Sequence, residues 1–166
     1  MKLSLVLITF FIFLVNAPED TIANKRDLSM GKGSFSLGVG YSDRHQFMTN
    51  SHIQIGGRQF FNVSYTRSGD INLGRNGLDG INAISINGGK AWFIERYLPT
   101  RFSVSAGPSY VWGRDIAEDA IGLSLQSNLI SEPLIKGLGI GLNFNSNINN
   151  QKSFWGVGFS LLFIAY

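Results

Sequence analysis

The sequence predicts an all-β fold, a transmembrane antiparallel up-and-down β-barrel of eight strands. Hydrophobic residues make up 44% of the 166 residues and charged residues 15%, which indicates one compact domain rather than a disordered chain. The chain has 20 Gly, 13 Phe and no Cys, a composition that favours strands and tight turns over helices. From residue 33 onward, apolar and polar residues alternate with a period of two in one segment after another.

Residues 1–17 have the features of a secretory signal peptide. Lys2 precedes an apolar run over 3–15, and the segment ends in the small residue Ala17. The run is shorter than the roughly 20 residues that a helix needs to span a bilayer, which argues against a retained anchor. We therefore expect the rest of the chain to be exported.

The signal can be cleaved at either of two bonds. Pro18 would follow a bond after Ala17 and is unfavourable there, so cleavage after Ala23 is the second possibility. Residues 18–32 have mixed charge and no periodicity, which predicts a flexible periplasmic leader, and residues 33–166 form the predicted barrel.

Composition also excludes several kinds of partner. The net charge is only +3, and it falls when Lys2 is removed, so we predict no nucleic-acid binding. An exported chain without Cys has neither disulfides nor a lipid-modified N-terminal cysteine. We expect a monomer whose stability depends on burial and backbone pairing.

The first predicted strand covers residues 33–42, and the same alternation recurs further along the chain. Apolar side chains share one face of each segment, and a tight turn is predicted at 56–58. The first strand places Phe35, Leu37, Val39 and Tyr41 on its apolar face; the later segments are 52–55, 61–66, 101–112, 121–126, 138–145 and 155–163.

Residues 80–95 have the least regular pattern. Ile84 and Ile86 share a face, whereas we interpret Gly88-Gly89 as a β-bulge that changes the face before Trp92. A hairpin at the two glycines would instead give nine strands. One long bulged strand keeps the total even, as in single-chain bacterial outer-membrane barrels.

The connections between strands alternate in length, which assigns them to the two sides of a membrane. Outer-membrane barrels have short periplasmic turns, longer extracellular loops and both termini in the periplasm. The predicted external loops are 43–50, 68–79, 113–118 and 147–151, and the predicted periplasmic turns are 57–58, 96–100 and 131–133.

The polar faces of the strands decide which face meets water. A soluble barrel would carry Lys, Glu and Asp on its outer face, but the polar faces here are almost entirely Ser, Gly, Asn, Gln and Thr. Arg101 and Lys90 are the main exceptions. Small polar side chains suit the narrow interior of an eight-stranded barrel, so the apolar face is predicted to point outward into lipid.

Aromatic residues fall at both ends of the predicted strands. Outer-membrane barrels carry aromatic girdles at the two interfaces with water, and strand propensity alone does not explain such placement. The predicted outer girdle is Tyr41, Tyr65, Tyr110, Trp112 and Trp155, and the predicted inner girdle is Phe35, Phe61, Phe102, Phe163 and either Trp92 or Phe93.

The last predicted strand alternates apolar residues and reaches an aromatic at Phe163, with Tyr166 on the other face. This pattern resembles the C-terminal strand signal of bacterial outer-membrane barrels, and residues 139–154 resemble the closing hairpin of an uncharacterised Bacteroidota family of small eight-stranded barrels. The resemblance implies outer-membrane location and insertion by the barrel-assembly machinery. Its signal residues are Trp155, Val157, Phe159, Leu161 and Phe163.

Few residues are available for catalysis or metal binding. His45 and His52 are the two histidines, and His52 follows Ser51 near the predicted outer rim. A lipid-modifying barrel enzyme would need such a histidine with a serine and a carboxylate, but the His-x-Ser-Asn run expected of a lipid A deacylase is absent. Asp70 begins a calcium-like loop that lacks the remaining ligands. We predict a polar rim histidine, no catalytic residue, no metal site and no cofactor.

The sequence thus predicts a non-enzymatic integral protein of a Gram-negative outer membrane, with a side-chain-filled interior and membrane lipids as its partners. It would anchor short external loops for envelope structure or surface interaction. Three alternatives are open: a narrow pore for small solutes, a secreted soluble ligand-binding barrel and a lipid-modifying barrel enzyme.

Overall fold

A computed structural model of the chain describes residues 33–43, 46–69, 80–95, 99–131 and 137–165. The predicted signal peptide and leader lie outside these residues. The described part consists of strands and their connections, and no helix in it is long and apolar enough to cross a membrane. The strands are β1 (Gly33–Ser42), β2 (Phe47–Gly56), β3 (Gln59–Gly69), β4 (Ile81–Glu95), β5 (Pro99–Gly113), β6 (Ala120–Ser131), β7 (Leu138–Asn149) and β8 (Phe154–Ala165).

The eight strands form one closed barrel in chain order, which confirms the predicted fold and strand count. Each strand is antiparallel to the next, and β1 closes the barrel on β8 with a register that runs from Gly33 opposite Ala165 to Ser42 opposite Gly156. Closure leaves no sheet edge with unpaired backbone groups.

The prediction of a β-bulge at Gly88-Gly89 is wrong. Gly88 pairs with Phe61 of β3 and Gly89 with Phe60, and the register of β4 with β3 and with β5 is the same before and after the two glycines. Trp92 therefore stays on the exterior with Ile84 and Ile86. Gly89 faces the lumen, where the ring of Phe60 occupies the space that a side chain would need.

Several predicted connections are shorter or longer than in the structure. The loop predicted at 43–50 is short, because β2 begins at Phe47 and residues 47–50 pair with β1. The connection between β6 and β7 extends to Gly137, past the turn predicted at 131–133. Met48 and Asn50 both face the lumen, and this mixture of apolar and polar residues on one face hid the start of β2 from the alternation test.

The apolar face of the barrel is the exterior. Ile121 is 80% exposed, Phe61 73% and Phe159 68%, whereas Ser36 and Asn87 are fully buried inside. A protein that folds in water places these two classes of side chain the other way round. The predicted orientation of the two strand faces is therefore correct.

Close packing of backbones at interior glycines gives the first mutational prediction. A Cβ on Gly107 would overlap the carbonyl oxygen of Ile86 on the neighbouring strand, so that strand would have to move. Gly107→Ala should lower the free energy of unfolding by about 1–3 kcal/mol, the range for overpacking, measured by urea titration in lipid vesicles. Gly88→Ala is the control, because its Cβ would meet Phe61 at an ordinary 3.8 Å. Equal effects of the two substitutions would contradict the prediction.

Candidate functional site: lumen and rims

The two ends of the barrel differ in their connections. We call one end the loop rim; it carries the connections 43–46, 70–80, 114–119 and 150–153. We call the other end the turn rim; there β1 begins, β8 ends, and the connections are 57–58, 96–98 and 132–137. The longest connection lies at the loop rim.

Uncharged amides and hydroxyls fill the middle of the lumen and bridge strands that are not neighbours in the sheet. Asn62 Nδ2 of β3 donates to Ser105 Oγ of β5 at 3.2 Å and to Gln126 Oε1 of β6 at 3.3 Å. Asn62 Oδ1 in turn accepts from Asn87 Nδ2 at 2.8 Å. A buried amide with its partners in place ties together four strands across the interior.

A second set of bonds crosses the lumen nearer the loop rim. Asn50 Nδ2 of β2 donates to Asn145 Oδ1 of β7 at 3.2 Å and to Thr66 Oγ1 of β3 at 3.0 Å. Asn147 Nδ2 of β7 donates to Ser109 Oγ of β5 at 2.8 Å. These side chains occupy the cross-section that a channel would need, which agrees with the narrow interior of an eight-stranded barrel.

Apolar side chains close the lumen at the loop rim. Phe154, Ile81, Val111 and Ala83 form one buried cluster, with Phe154 only 2% exposed, and Ile116 of the β5–β6 connection packs against it. We call this cluster the loop-rim plug. The sequence reading missed it, because these residues continue strand faces that are polar elsewhere.

A second set of buried apolar side chains faces the lumen at the turn rim. Phe60, Ala91, Ile130 and Leu162 face inward there and are at most 4% exposed. The guanidinium of Arg101, itself 9% exposed, lies 5.6 Å from the centre of the Phe60 ring. We call these residues the turn-rim plug, and among the interior side chains that the structure describes Arg101 is the charged one, lying over an aromatic face.

His52 is not the rim histidine that the sequence predicted. It points into the lumen from the middle of β2, is 3% exposed, and its Nδ1 lies 3.5 Å from Asn50 Oδ1. Ser51 lies on the opposite face of the strand, so the pair cannot act together on one substrate. His45 and Asp70 lie outside the described residues. No cluster of residues able to hold a metal ion occurs in the part of the chain that the structure describes.

One wall of the lumen has hydroxyls that do not join the amide network. Ser34 and Ser36 of β1 and Ser160 of β8 are buried, and their Oγ atoms have no hydrogen-bond partner. Ser36 pairs with His52 across the β1–β2 ladder.

The residues predicted for the outer girdle lie on the exterior toward the loop rim. Neighbouring rings contact one another: Tyr110 and Trp112 have centroids 5.6 Å apart, and Tyr65 lies 6.2 Å from Trp112. Trp155 lies 6.2 Å from Phe144, and Tyr41 is 55% exposed.

The residues predicted for the inner girdle lie on the exterior toward the turn rim. Phe35 stacks on Phe163 at 6.4 Å across the β1–β8 closure, and Trp92 stacks on Phe102 at 5.7 Å. Phe61 lies on the same face near the start of β3 and is 73% exposed. The side chain of Phe93 lies outside the described residues.

The short connections of the loop rim are held by polar contacts. Lys152 and Asp115 approach to 4.0 Å and link the 150–153 and 114–119 connections. The Asn149 side chain accepts from the backbone N–H of Gln151 at 3.0 Å and of Lys152 at 2.7 Å, and Asp43 accepts from Trp155 N at 3.3 Å. Side chains that accept backbone N–H groups in this way stabilise tight turns.

The exterior also has an apolar groove across β6, β7, β8 and β1, with a volume of about 510 Å³. Ser127, on the β6 side of the groove, is smaller than the leucines on the same face of its strand. The principal lining residues are Tyr41, Leu129, Leu142, Phe144, Val157 and Phe159.

Fold and side-chain distribution together define this protein as a small closed β-barrel with an apolar exterior and a polar, side-chain-filled lumen. Solved structures of similar fold include the N-terminal β-barrel domain of Pseudomonas aeruginosa OprF, with a TM-score of 0.59, 12% identity and coverage of 81% of this chain and 98% of that one. The outer membrane enzyme PagL matches with a TM-score of 0.59, 8% identity and coverage of 78% and 98%. A de novo designed transmembrane β-barrel matches with a TM-score of 0.54, 15% identity and coverage of 81% and 96%.

These likenesses concern the fold. No protein-family model matches the sequence, and a search of curated proteins found no relative. The resemblance to a Bacteroidota family therefore stays a prediction. The five residues of the predicted assembly signal, Trp155, Val157, Phe159, Leu161 and Phe163, all lie on the exterior of β8 and are 43–68% exposed.

Proposed function

We propose that this chain is a non-enzymatic integral protein of a bacterial outer membrane, a non-conducting barrel that anchors short surface connections. The observation that carries the proposal is the reversed distribution of side chains. The exterior of every strand exposes large apolar residues, and the buried interior holds Asn, Gln and Ser. Water penalises such a surface, whereas a bilayer favours it and requires the closed hydrogen bonding that a barrel supplies.

The different lengths of the connections at the two rims support an orientation with both termini in the periplasm. Single-chain bacterial barrels have their short turns on the periplasmic side and longer loops outside. Here the longest connection, 70–80, lies at the loop rim, and the turn rim carries the connections 57–58, 96–98 and 132–137 with the ends of β1 and β8. The loop rim is then the part of the molecule available to other envelope components or to surface partners.

Two measurements test membrane insertion. Refolded protein in detergent should migrate differently in SDS gels before and after boiling, because a closed barrel resists unheated SDS. Membranes washed with carbonate should retain the protein in the pellet. Recovery in the supernatant alone would support the secreted soluble ligand-binding barrel instead.

The two plugs and the crossing amides argue against the narrow-pore alternative. A conducting path would have to pass the loop-rim plug at Phe154, the amides of Asn50 and Asn62, and the turn-rim plug at Phe60. Purified protein in planar bilayers should therefore give no single-channel steps. Clear steps would contradict the non-conducting barrel.

The fold alone does not decide between enzyme and non-enzyme, since PagL is an enzyme of similar fold. The non-enzymatic proposal is supported by the position of His52, which faces the lumen while Ser51 faces outward. Expression of the native chain should leave the acylation of lipid A and phospholipids unchanged in mass spectra. An altered acylation pattern that disappears in His52→Ala would make the protein a lipid-modifying enzyme.

A further inference from the structure

We propose that the exterior of the turn rim carries a binding site for the phosphate headgroup of an anionic glycerophospholipid. We call this site the cationic patch; it consists of Arg58, Gln59, Lys90, Trp92 and Phe102. The inference rests on the proposed membrane insertion and goes beyond it, because it names a lipid class and the side chains that select it.

Backbone pairing between β3 and β4 brings the two basic residues of the patch, Arg58 and Lys90, close together. The Ala91 N–H donates to the Arg58 carbonyl oxygen at 2.7 Å, and Gln59 pairs with Lys90 across the β3–β4 ladder. Arg58 and Gln59 are both exposed. The unbroken register of β4 puts Lys90 on the exterior, at the height where β3 begins, and so beside the β2–β3 turn.

Aromatic rings lie close to the Lys90 ammonium. Its Nζ lies 5.9 Å from the centre of the Trp92 ring, within reach of a cation–π interaction, and Trp92 stacks on Phe102 at 5.7 Å. Gly88 has no side chain, so the exposed ring of Phe61 borders the patch on its other side. Along β4, Phe61 lies level with Gly88 on the side of Lys90 that faces the middle of the barrel, and Trp92 and Phe102 lie on the side that faces the turn rim. The basic side chains of the patch are thus flanked by aromatic rings on both sides.

This arrangement fits the headgroup region of one lipid. Lys and Trp favour the interface, where a lysine stem can run along apolar surface while its ammonium reaches the phosphates. Arg58 and Lys90 supply charge-assisted hydrogen bonds to phosphate oxygens. Phe61 contacts the upper acyl chains, and Trp92 and Phe102 lie at the level of the headgroups, where amphipathic rings are favoured. A lipid with net negative charge is preferred, because a zwitterionic headgroup brings a cation of its own toward the two basic side chains.

The test uses Trp92 as a local probe in the full-length mature barrel. Trp112→Phe and Trp155→Phe remove the other two tryptophans of the chain. The barrel is reconstituted in phosphatidylcholine vesicles with phosphatidylglycerol or phosphatidylcholine brominated near the carboxyl end of the acyl chains. The quenching of Trp92 by the two lipids gives their relative association constant at the patch.

We expect the brominated anionic lipid to be preferred by about fivefold for each cation that contacts it, at low salt. Lys90→Gln with Arg58→Gln should reduce the preference to near unity. Lys152→Gln at the loop rim removes a charge far from Trp92 and should leave the preference intact. Each variant is checked for the heat-modifiable form before use.

The outcomes separate the two levels of the proposal. Absence of quenching by either lipid would mean that Trp92 does not lie against lipid at all, which would overturn membrane insertion itself. Equal quenching by both lipids in the native patch would refute the site and leave insertion standing. A preference that Lys152→Gln abolishes as completely as the patch variant would also refute it, because net charge alone would then explain the selection.

Discussion

Ile86→Arg should lower the free energy of unfolding in lipid vesicles by about 2–4 kcal/mol, the cost of an Arg near the midplane on the lipid face of a barrel. Ile86 lies on the exterior in the middle of β4 and is 62% exposed. It pairs with Val63 of β3, whose exterior position is equally apolar. An arginine there has no water and no anion within the hydrocarbon, so its charge is stabilised only by distorting the lipid around it.

The same substitution near a rim is the matched control. Ile121 is 80% exposed on the exterior and lies one residue from the start of β6 at the loop rim. Ile121→Arg should cost only about 0–1 kcal/mol, because the guanidinium reaches the headgroups. Urea titrations of both variants in the same vesicles measure the difference. In a soluble barrel both substitutions would change stability by only about 0.5 kcal/mol, so a small effect at Ile86 would contradict a lipid-facing exterior.

The strand pattern could be predicted because the exterior of the barrel has one environment from rim to rim. Every strand must present apolar side chains there, and the period of two then gives the strands, their faces and the closure. Residues 88–92 are the exception on this face. Gly88 and Gly89 have no side chains by which the period of two could be followed, so a bulge was predicted there, whereas the constant register keeps Trp92 on the exterior with Ile86.

The interior could not be predicted to the same depth, because its environment changes along the barrel axis. The middle is polar, and apolar side chains join polar ones at both ends, so Met48, Phe60 and Phe154 interrupt the polar faces of their strands. Which of these residues contact one another depends on how far neighbouring strands are shifted along the barrel axis. The alternation within one strand contains no information on that shift. His52 was placed at a rim for the same reason, since the start of β2 at Phe47 was not visible in the alternation.

Phe154→Ala should have the largest effect in the lumen, a loss of about 3–5 kcal/mol in the free energy of unfolding. Phe154 is 2% exposed and packs against Ile81 and Val111, which are both fully buried, so the missing ring leaves a cavity that rigid strands cannot close. A Cβ on Gly156 of the same strand would meet Met48 Sδ at 2.6 Å, which shows how tightly this layer is filled. Urea titration in vesicles measures the loss.

Phe154→Leu is the matched control, since it keeps most of the volume and should cost less than about 1.5 kcal/mol. Equal losses from the two substitutions would mean that the loop-rim plug is not a packed layer.

Planar-bilayer recordings on Phe154→Ala test whether ions pass through the lumen when the Phe154 ring is removed. We expect no steps, because the bonds from Asn50 to Asn145 and from Asn62 to Gln126 still cross the interior below the cavity. Conductance in Phe154→Ala alone would identify Phe154 as the gate of a narrow pore, and the barrel would then be a closed channel rather than a solid anchor.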